Sequence, residues 1–214
     1  GQRFGSAEAS IVQGLPYGVI IGNKWRRTPD GQMIINPATG TPLSSIAGQV
    51  IGNPNRDYAC GLTSTLNYKR VFFSFLIDYK HGGDFMSWTA STFRSLGALK
   101  ETGGDRELPR IWPGVIETSP GHFEPNNIQI SAQSYWNSMG SNTTAGDLAV
   151  WDATTLRIRE VSLGVDLPNT ILKTKIFTSA RITVYGRNLF YYAPNSPIDP
   201  EVNTQGAGNI RGLE

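Results

Sequence analysis

The 214-residue sequence predicts an all-β chain: a piece of an antiparallel transmembrane β-barrel, with about four long strands in two hairpins and long extracellular loops. Three observations predict it. Four segments alternate apolar and polar residues with a period of two, the mark of a strand with unlike faces. Within each pair of segments the connection is short, whereas the stretches before and between the pairs are long and dense in Gly, Pro, Trp and polar residues. One face of each segment is clear of charge.

Composition agrees. Hydrophobic residues make up 39% and charged residues 17%, below the ~25% charged share of an ordinary soluble domain. With 24 Gly and 13 Pro the chain turns often, which suits a loop-rich β protein. A net charge of +2 gives no general case for nucleic-acid binding. The lone cysteine, Cys60, leaves no internal disulfide and no multi-cysteine metal site. No apolar run approaches the ~18–20 residues of a membrane helix. The chain opens on Gly1 with no signal peptide, and both ends read as cuts.

Residues 1–57 form a loop region with short strands. The first hairpin, 58–80, pairs "YACGLTSTLNYK" with "RVFFSFLIDYK". Val71, Phe73, Phe75, Ile77 and Tyr79 make a continuous apolar face, and the turn at Tyr68, Lys69 and Arg70 is very short. Residues 81–156 are a long external loop; a structureless insertion of such length is unusual in a compact domain. Within it, Ala132 to Met139 suggests a helical turn. The second hairpin, 157–190, pairs "RIREVSLGVDLP" with "SARITVYGRNLF" across a turn near Pro168 to Lys175. Residues 191–214 return to external loop, with a final strand missing. Strand parity requires both short turns on one side and every long segment on the other. Tyr58, Tyr68, Tyr79, Phe190, Tyr191 and Tyr192 cluster near strand ends, as barrel girdles do.

Several ordered segments resemble one family. They are "IGNPNRDY" (51–58), "LNYKRVFFSFLIDYKHGGD" (66–84), "VWDATTLRIREVSLGVDLP" (150–168), "ARITVYGRNLFYY" (180–192) and "IDPEVNTQGAGNIRGLE" (198–214), preceded by "GQRFGS" and "LPYGVIIGNKWRRTPDGQMIINPATGTPL". The chain resembles the C-terminal part of SusC/RagA-type TonB-dependent outer-membrane transporters. It departs from the family pattern at Arg56, where Pro is usual. The resemblance spans four of roughly 22 barrel strands and lacks the plug and the TonB-contacting segment. It implies location in the cell outer membrane and an importer of oligosaccharide or peptide cargo. It also implies a SusD-like surface lipoprotein as lid, and the TonB complex engaged through the missing N-terminal part.

On this reading the apolar faces touch outer-membrane lipid, where an arginine at mid-depth costs ~2–4 kcal/mol. Leu62, Leu66, Phe73, Phe75, Ile77, Val161, Leu163, Val165, Ile182 and Val184 point outward. The lumen receives Asp78, Glu160, Asp166, Arg181 and Arg187, with Thr63, Thr65, Ser74, Ser162 and Thr183. Strict alternation makes this one decision per strand. Phe72 and Leu76 are the awkward residues, apolar on the inner face.

Trp88, Trp112, Tyr135, Trp136 and Trp151 in the long loop, and Trp25 before it, are candidates to contact substrate or partner; the competing reading is a small core within a folded loop. No catalytic constellation is expected. His81 and His122 lie far apart without ligand spacing. Asp105, Glu107, Asp199 and Glu201 are either calcium-binding pairs or solvated loop charges. "GAGNIRG" (206–212) lacks the strand and helix of a dinucleotide loop, so no cofactor is expected, and a glycosidase carboxylate pair is not evident. The alternative is a soluble β-sandwich glycan-binding module, whose apolar faces would meet in a dry core.

Overall fold

A computed structural model describes residues 3–4, 7–43, 46–140, 146–168 and 179–201. Its strands, in chain order, are β1 (Arg3–Phe4), β2 (Ala7–Ser10), β3 (Val19–Lys24), β4 (Ile46–Gly52), β5 (Tyr58–Tyr68), β6 (Val71–His81) and β7 (Asp84–Met86). They continue as β8 (Arg110–Ile111), β9 (Val115–Ser119), β10 (His122–Pro125), β11 (Gln129–Ile130), β12 (Val150–Asp152), β13 (Thr155–Asp166) and β14 (Arg181–Tyr192). Two short helices, α1 (Trp88–Ser95) and α2 (Ala132–Asn137), interrupt the long loop. None of the described helices is long and apolar enough to cross a membrane.

The chain divides into two units. Residues 56–82 and 153–195 make one; residues 1–55, 83–152 and 196–214 make the other. The first is an antiparallel sheet in the order β14-β13-β6-β5. Its long strands span 11 or 12 residues each, enough to cross a bilayer at a barrel tilt. β5 and β6 join through a two-residue turn at Lys69 and Arg70, with Tyr68 opposite Val71 and Lys69 at φ 55°.

The end of β13 lies beside that turn: the Asp166 N–H donates to Arg70 O at 2.8 Å, and the Leu167 N–H to Ala180 O at 2.9 Å. The β13–β14 connection therefore leaves from the same end of the sheet, as strand parity requires, although its residues 169–178 lie outside the described ones. At the opposite end the Asp57 N–H donates to His81 O, and the Gly82 N–H to Thr154 Oγ1 at 3.0 Å.

Register aligns the faces across all four strands. Leu62, Ile77, Ile158 and Phe190 fall in one row; Leu66, Phe73, Leu163 and Val184 fall in another. Alternation is not strict, however. Between Ile158 and Glu160 the register slips against both neighbours. Arg159 is the extra residue of β13 against β6, and Asn188 and Leu189 bulge on β14, with Asn188 at φ 50°. Counting back by twos from Val161 would put Arg159 and Arg157 on the apolar face. The bulge re-aims them: Leu156 and Ile158 take the apolar rows, and Arg157 pairs with Asp78 on the other face.

Two glycines accommodate what the alternation displaces. Phe72, opposite Gly164, lays its ring where a Gly164 Cβ would sit. Leu189, extruded by the bulge, folds over Gly186. So Phe72, the awkward inner residue, fills a hole in its own sheet.

The second unit collects three stretches far apart in sequence. β1 to β4 form a sheet in that order, and β7 with β12, β8 with β11 and β9 with β10 form small antiparallel pairs. Among the described residues of the 83–152 stretch the longest strand has five residues, so none of them forms a wall strand. Ser87 caps α1 by accepting from the Ala90 N–H at 3.0 Å, and Ser131 caps α2 by accepting from the Ser134 N–H at 3.1 Å. One core holds Ala7, Ile20, Met86 and Ala149; the other holds Trp25, Met33, Ile35 and Trp112.

Any side chain at position 164 must displace the Phe72 ring. We expect Gly164→Ala in the full-length protein to lose about 1–3 kcal/mol of stability, read from unfolding midpoints in detergent micelles. Adding Phe72→Ala should restore part of the loss. An unchanged midpoint for Gly164→Ala would contradict the packing described.

Candidate functional site

The polar face of the four-stranded sheet arises from alternation plus the bulge. Each of its three carboxylates is paired with an arginine of a neighbouring strand. Arg181 of β14 donates twice to Asp166 of β13, at 2.6 and 3.0 Å, a forked pairing. The same guanidinium stacks 4.5 Å above the Phe72 ring centroid. Ser74 and Ser162 share a hydrogen bond at 2.6 Å. Further along, Arg187 reaches Glu160 at 3.2 Å and lies 5.6 Å from the Tyr185 ring. At the loop end Asp78 accepts from Arg159 at 2.6 and 3.1 Å and meets Lys80 at 3.4 Å. Arg157 stacks 5.2 Å from the Tyr191 ring.

The five sequence-selected residues Asp78, Glu160, Asp166, Arg181 and Arg187 thus share one face, and each has an oppositely charged partner there. Sequence reasoning missed Arg157, Arg159 and Lys80. The signal was present: two arginines in phase with Val161 would each cost ~2–4 kcal/mol on a lipid face, which demands a bulge.

The opposite face is bare. Leu62 is 57% exposed, Leu66 59%, Ile182 59% and Val184 72%. Cys60 is exposed on this same face. Its loop end carries aromatic residues: Tyr58, Tyr79 and His81 cluster, with the Tyr58 and His81 rings 4.9 Å apart. Phe190 and Tyr192 are exposed in neighbouring rows, whereas Tyr191 lies on the polar face.

The selected aromatics of the loop unit separate by depth. Trp112 is 3% exposed and Trp25 7%; both serve packing. The Trp112 indole N–H donates to Ser138 Oγ at 2.9 Å, and Tyr135 tilts against its ring at 4.9 Å. Tyr135 and Trp136 are half-buried, edge to face at 5.1 Å, and Arg110 stacks on both, 5.6 and 5.2 Å from their ring centroids. Trp88 and Trp151 are half-buried against the other core, with Arg94 stacked 5.0 Å over Trp151. Burial pushes the Tyr135 phenol above its ordinary value. Burial likewise raises Asp147, although Arg27, 3.6 Å away, pulls the other way. No group of three or more metal-ligating side chains occurs among the described residues.

A sheet bare on its apolar face, with each carboxylate of its charged face paired across strands and a tight turn at one end, has the pattern of a transmembrane β-barrel wall segment. No family model matches the chain. It is 22% identical over 192 residues to "TonB-dependent receptor P3" of Formosa agariphila, covering 86% of this chain and 16% of the relative. Its fold matches a solved structure of the RagAB peptide importer in the "closed-closed" state, with TM-score 0.50, 12% identity, and coverage of 86% of this chain and 21% of that one. In the "open-open" state the TM-score is 0.49 at 10% identity. The resemblance to SusC/RagA-type TonB-dependent transporters is borne out, for a chain spanning about a fifth or less of these relatives.

Two outcomes follow for the loop unit. Trp112→Ala in the full-length protein should cost about 3–5 kcal/mol, seen as early proteolysis of the loop unit, while Trp136→Ala should cost distinctly less. Asp147, with its folded-state pKa raised, contributes stability that is complete below the ordinary carboxylate range and is lost as pH rises through the raised value. Asp147→Asn should therefore melt higher than wild type at pH about 7 and match it near pH 3. A lower midpoint for the variant at neutral pH would mean that the Arg27 pair outweighs burial.

Proposed function

We propose that the chain is part of a TonB-dependent importer in the cell outer membrane, supplying barrel wall and the loops that face substrate and partner. The observation that carries this reading is the bare apolar face. A soluble sandwich would pack Leu62, Leu66, Ile182 and Val184 against a second sheet; here they are more than half exposed. Four strands with two open edges would also not stand alone in water or lipid. The names of the relative and of the solved importer support the direction of transport.

In this reading Asp78, Glu160, Asp166, Arg181 and Arg187 face the lumen, and outer-membrane lipid covers the other side. The loop unit, through the half-buried rims of Trp88, Tyr135, Trp136 and Trp151, contacts cargo or a SusD-like lipoprotein, while Trp112 holds it together from within. Cargo is an oligosaccharide or a peptide. The TonB complex acts on the N-terminal part of the full-length protein, displacing a plug so that captured cargo passes along the polar face.

The test is thiol labelling of the full-length protein in native membranes. The native Cys60 should resist a water-soluble maleimide until the membrane is dissolved. In a Cys60→Ala background, Val184→Cys should resist likewise, and Thr183→Cys and Tyr185→Cys should react. The reverse pattern would show that the face assigned to lipid is wet, and would favour the soluble module. Loss of uptake of a labelled oligomer when TonB is removed would support the import step; unchanged uptake would refute it.

A further inference from the structure

We propose that the Lys69–Arg70 turn is a docking surface for the headgroup phosphate of an anionic phospholipid, at the short-turn end of the wall. The inference rests on the barrel reading above. The two-residue turn forces adjacent cations to the tip of the β5–β6 hairpin, beyond the last strand pair, Tyr68 with Val71. Both side chains are exposed. Among the described residues neither has a carboxylate partner. The nearest acid in the sheet, Asp166, is tied to Arg70 only through its backbone N–H. Its carboxylate is occupied on both oxygens by Arg181. Among the described residues the tip therefore carries positive charge with no internal counter-ion.

The choice of a lipid over a free anion comes from what lies next to the charge. Tyr68 is 72% exposed and ends the apolar face, and the Lys69 ammonium sits 5.3 Å over its ring. Val71, Val165 and Ile182 share its cross-strand row, and the next row inward holds Leu66, Leu163 and Val184, at 59, 51 and 72% exposure. An aromatic ring at the boundary, a cation above it and aliphatic rows below match the three levels of a phospholipid: glycerol, phosphate and acyl chain. A soluble phosphate would use only the first cation layer and gain nothing from the rows beneath. Two basic residues beside a membrane surface attract anionic lipid by about 5-fold each, roughly 30-fold together.

The experiment uses the full-length protein in nanodiscs of equal phosphatidylglycerol and phosphatidylcholine, with native mass spectrometry counting the lipids retained. Wild type should retain phosphatidylglycerol preferentially. K69Q/R70Q should lose about 30-fold in that preference and each single variant about 5-fold, while K69R/R70K should keep it. Salt should weaken the preference, because the contact is exposed. Equal retention of both lipids by wild type, or an undiminished preference in K69Q/R70Q, would overturn the proposal. Competition by millimolar inorganic phosphate would also overturn it, by showing a simple anion site. Insertion is read separately, from a heat-dependent gel shift. A protein that inserts without lipid preference rejects this proposal alone; one that fails to insert rejects the barrel reading with it.

Discussion

The structure of the wall depends on keeping charge off one face of a four-stranded sheet. β13 cannot satisfy that demand by alternation alone, because "RIRE" places arginines at the wrong parity relative to Val161. Each arginine on a lipid face would cost ~2–4 kcal/mol, so two misplaced ones outweigh the loss of regular pairing at one point. The chain inserts Arg159 as a bulge, and β14 answers with Asn188 and Leu189. The bulge has a packing consequence of its own. It extrudes Leu189, which fits only because Gly186 has no side chain. One electrostatic constraint thus dictates a backbone irregularity, an asparagine in the left-handed region and a glycine beside it.

The polar face obeys a second rule. Its pairs, Asp166 with Arg181, Glu160 with Arg187 and Asp78 with Arg159, each bridge two strands. Such exposed pairs contribute only ~0–1 kcal/mol each. Their larger effect is on register. A one-residue slip of β14 would remove both arginines from their carboxylates and send them to the apolar face at once. Favourable pairing on one side and desolvation on the other therefore select the same alignment.

Much of this was legible in the sequence. Period-two alternation located the four long strands to within two residues at each end, because a half-buried strand has no other way to write its faces. The tight turn after Tyr68 and the helical turn beginning at Ala132 could be read from local chemistry. The bulge could not be read from alternation, since alternation is the rule it breaks; only the cost of Arg157 and Arg159 in lipid hinted at it. The joining of residues 1–55, 83–152 and 196–214 into one unit was also hidden. Its strands have two to seven residues, too short to set a period, and contacts such as Asp84 with Asn53 have no local signature.

Those short elements explain why the loop unit is rich in tryptophan. Strands this brief offer few apolar residues per element, so bulk must come from large single side chains. Trp25 and Trp112 are the bulkiest buried members of one core, with Met33 and Ile35 beside them and Ile116, Ile130, Tyr135, Met139 and Leu148 packed around. Packing and contact are then not competing roles for the aromatic set. The same stack runs from Trp112, fully inside, through Tyr135 to Trp136 at the rim, with Arg110 clamping the outer pair. A rim residue held by a buried neighbour and a stacked cation is pre-oriented, and a side chain already ordered loses less entropy when something binds to it. The core that makes the loops fold is therefore also what would make their surface a rigid one to bind.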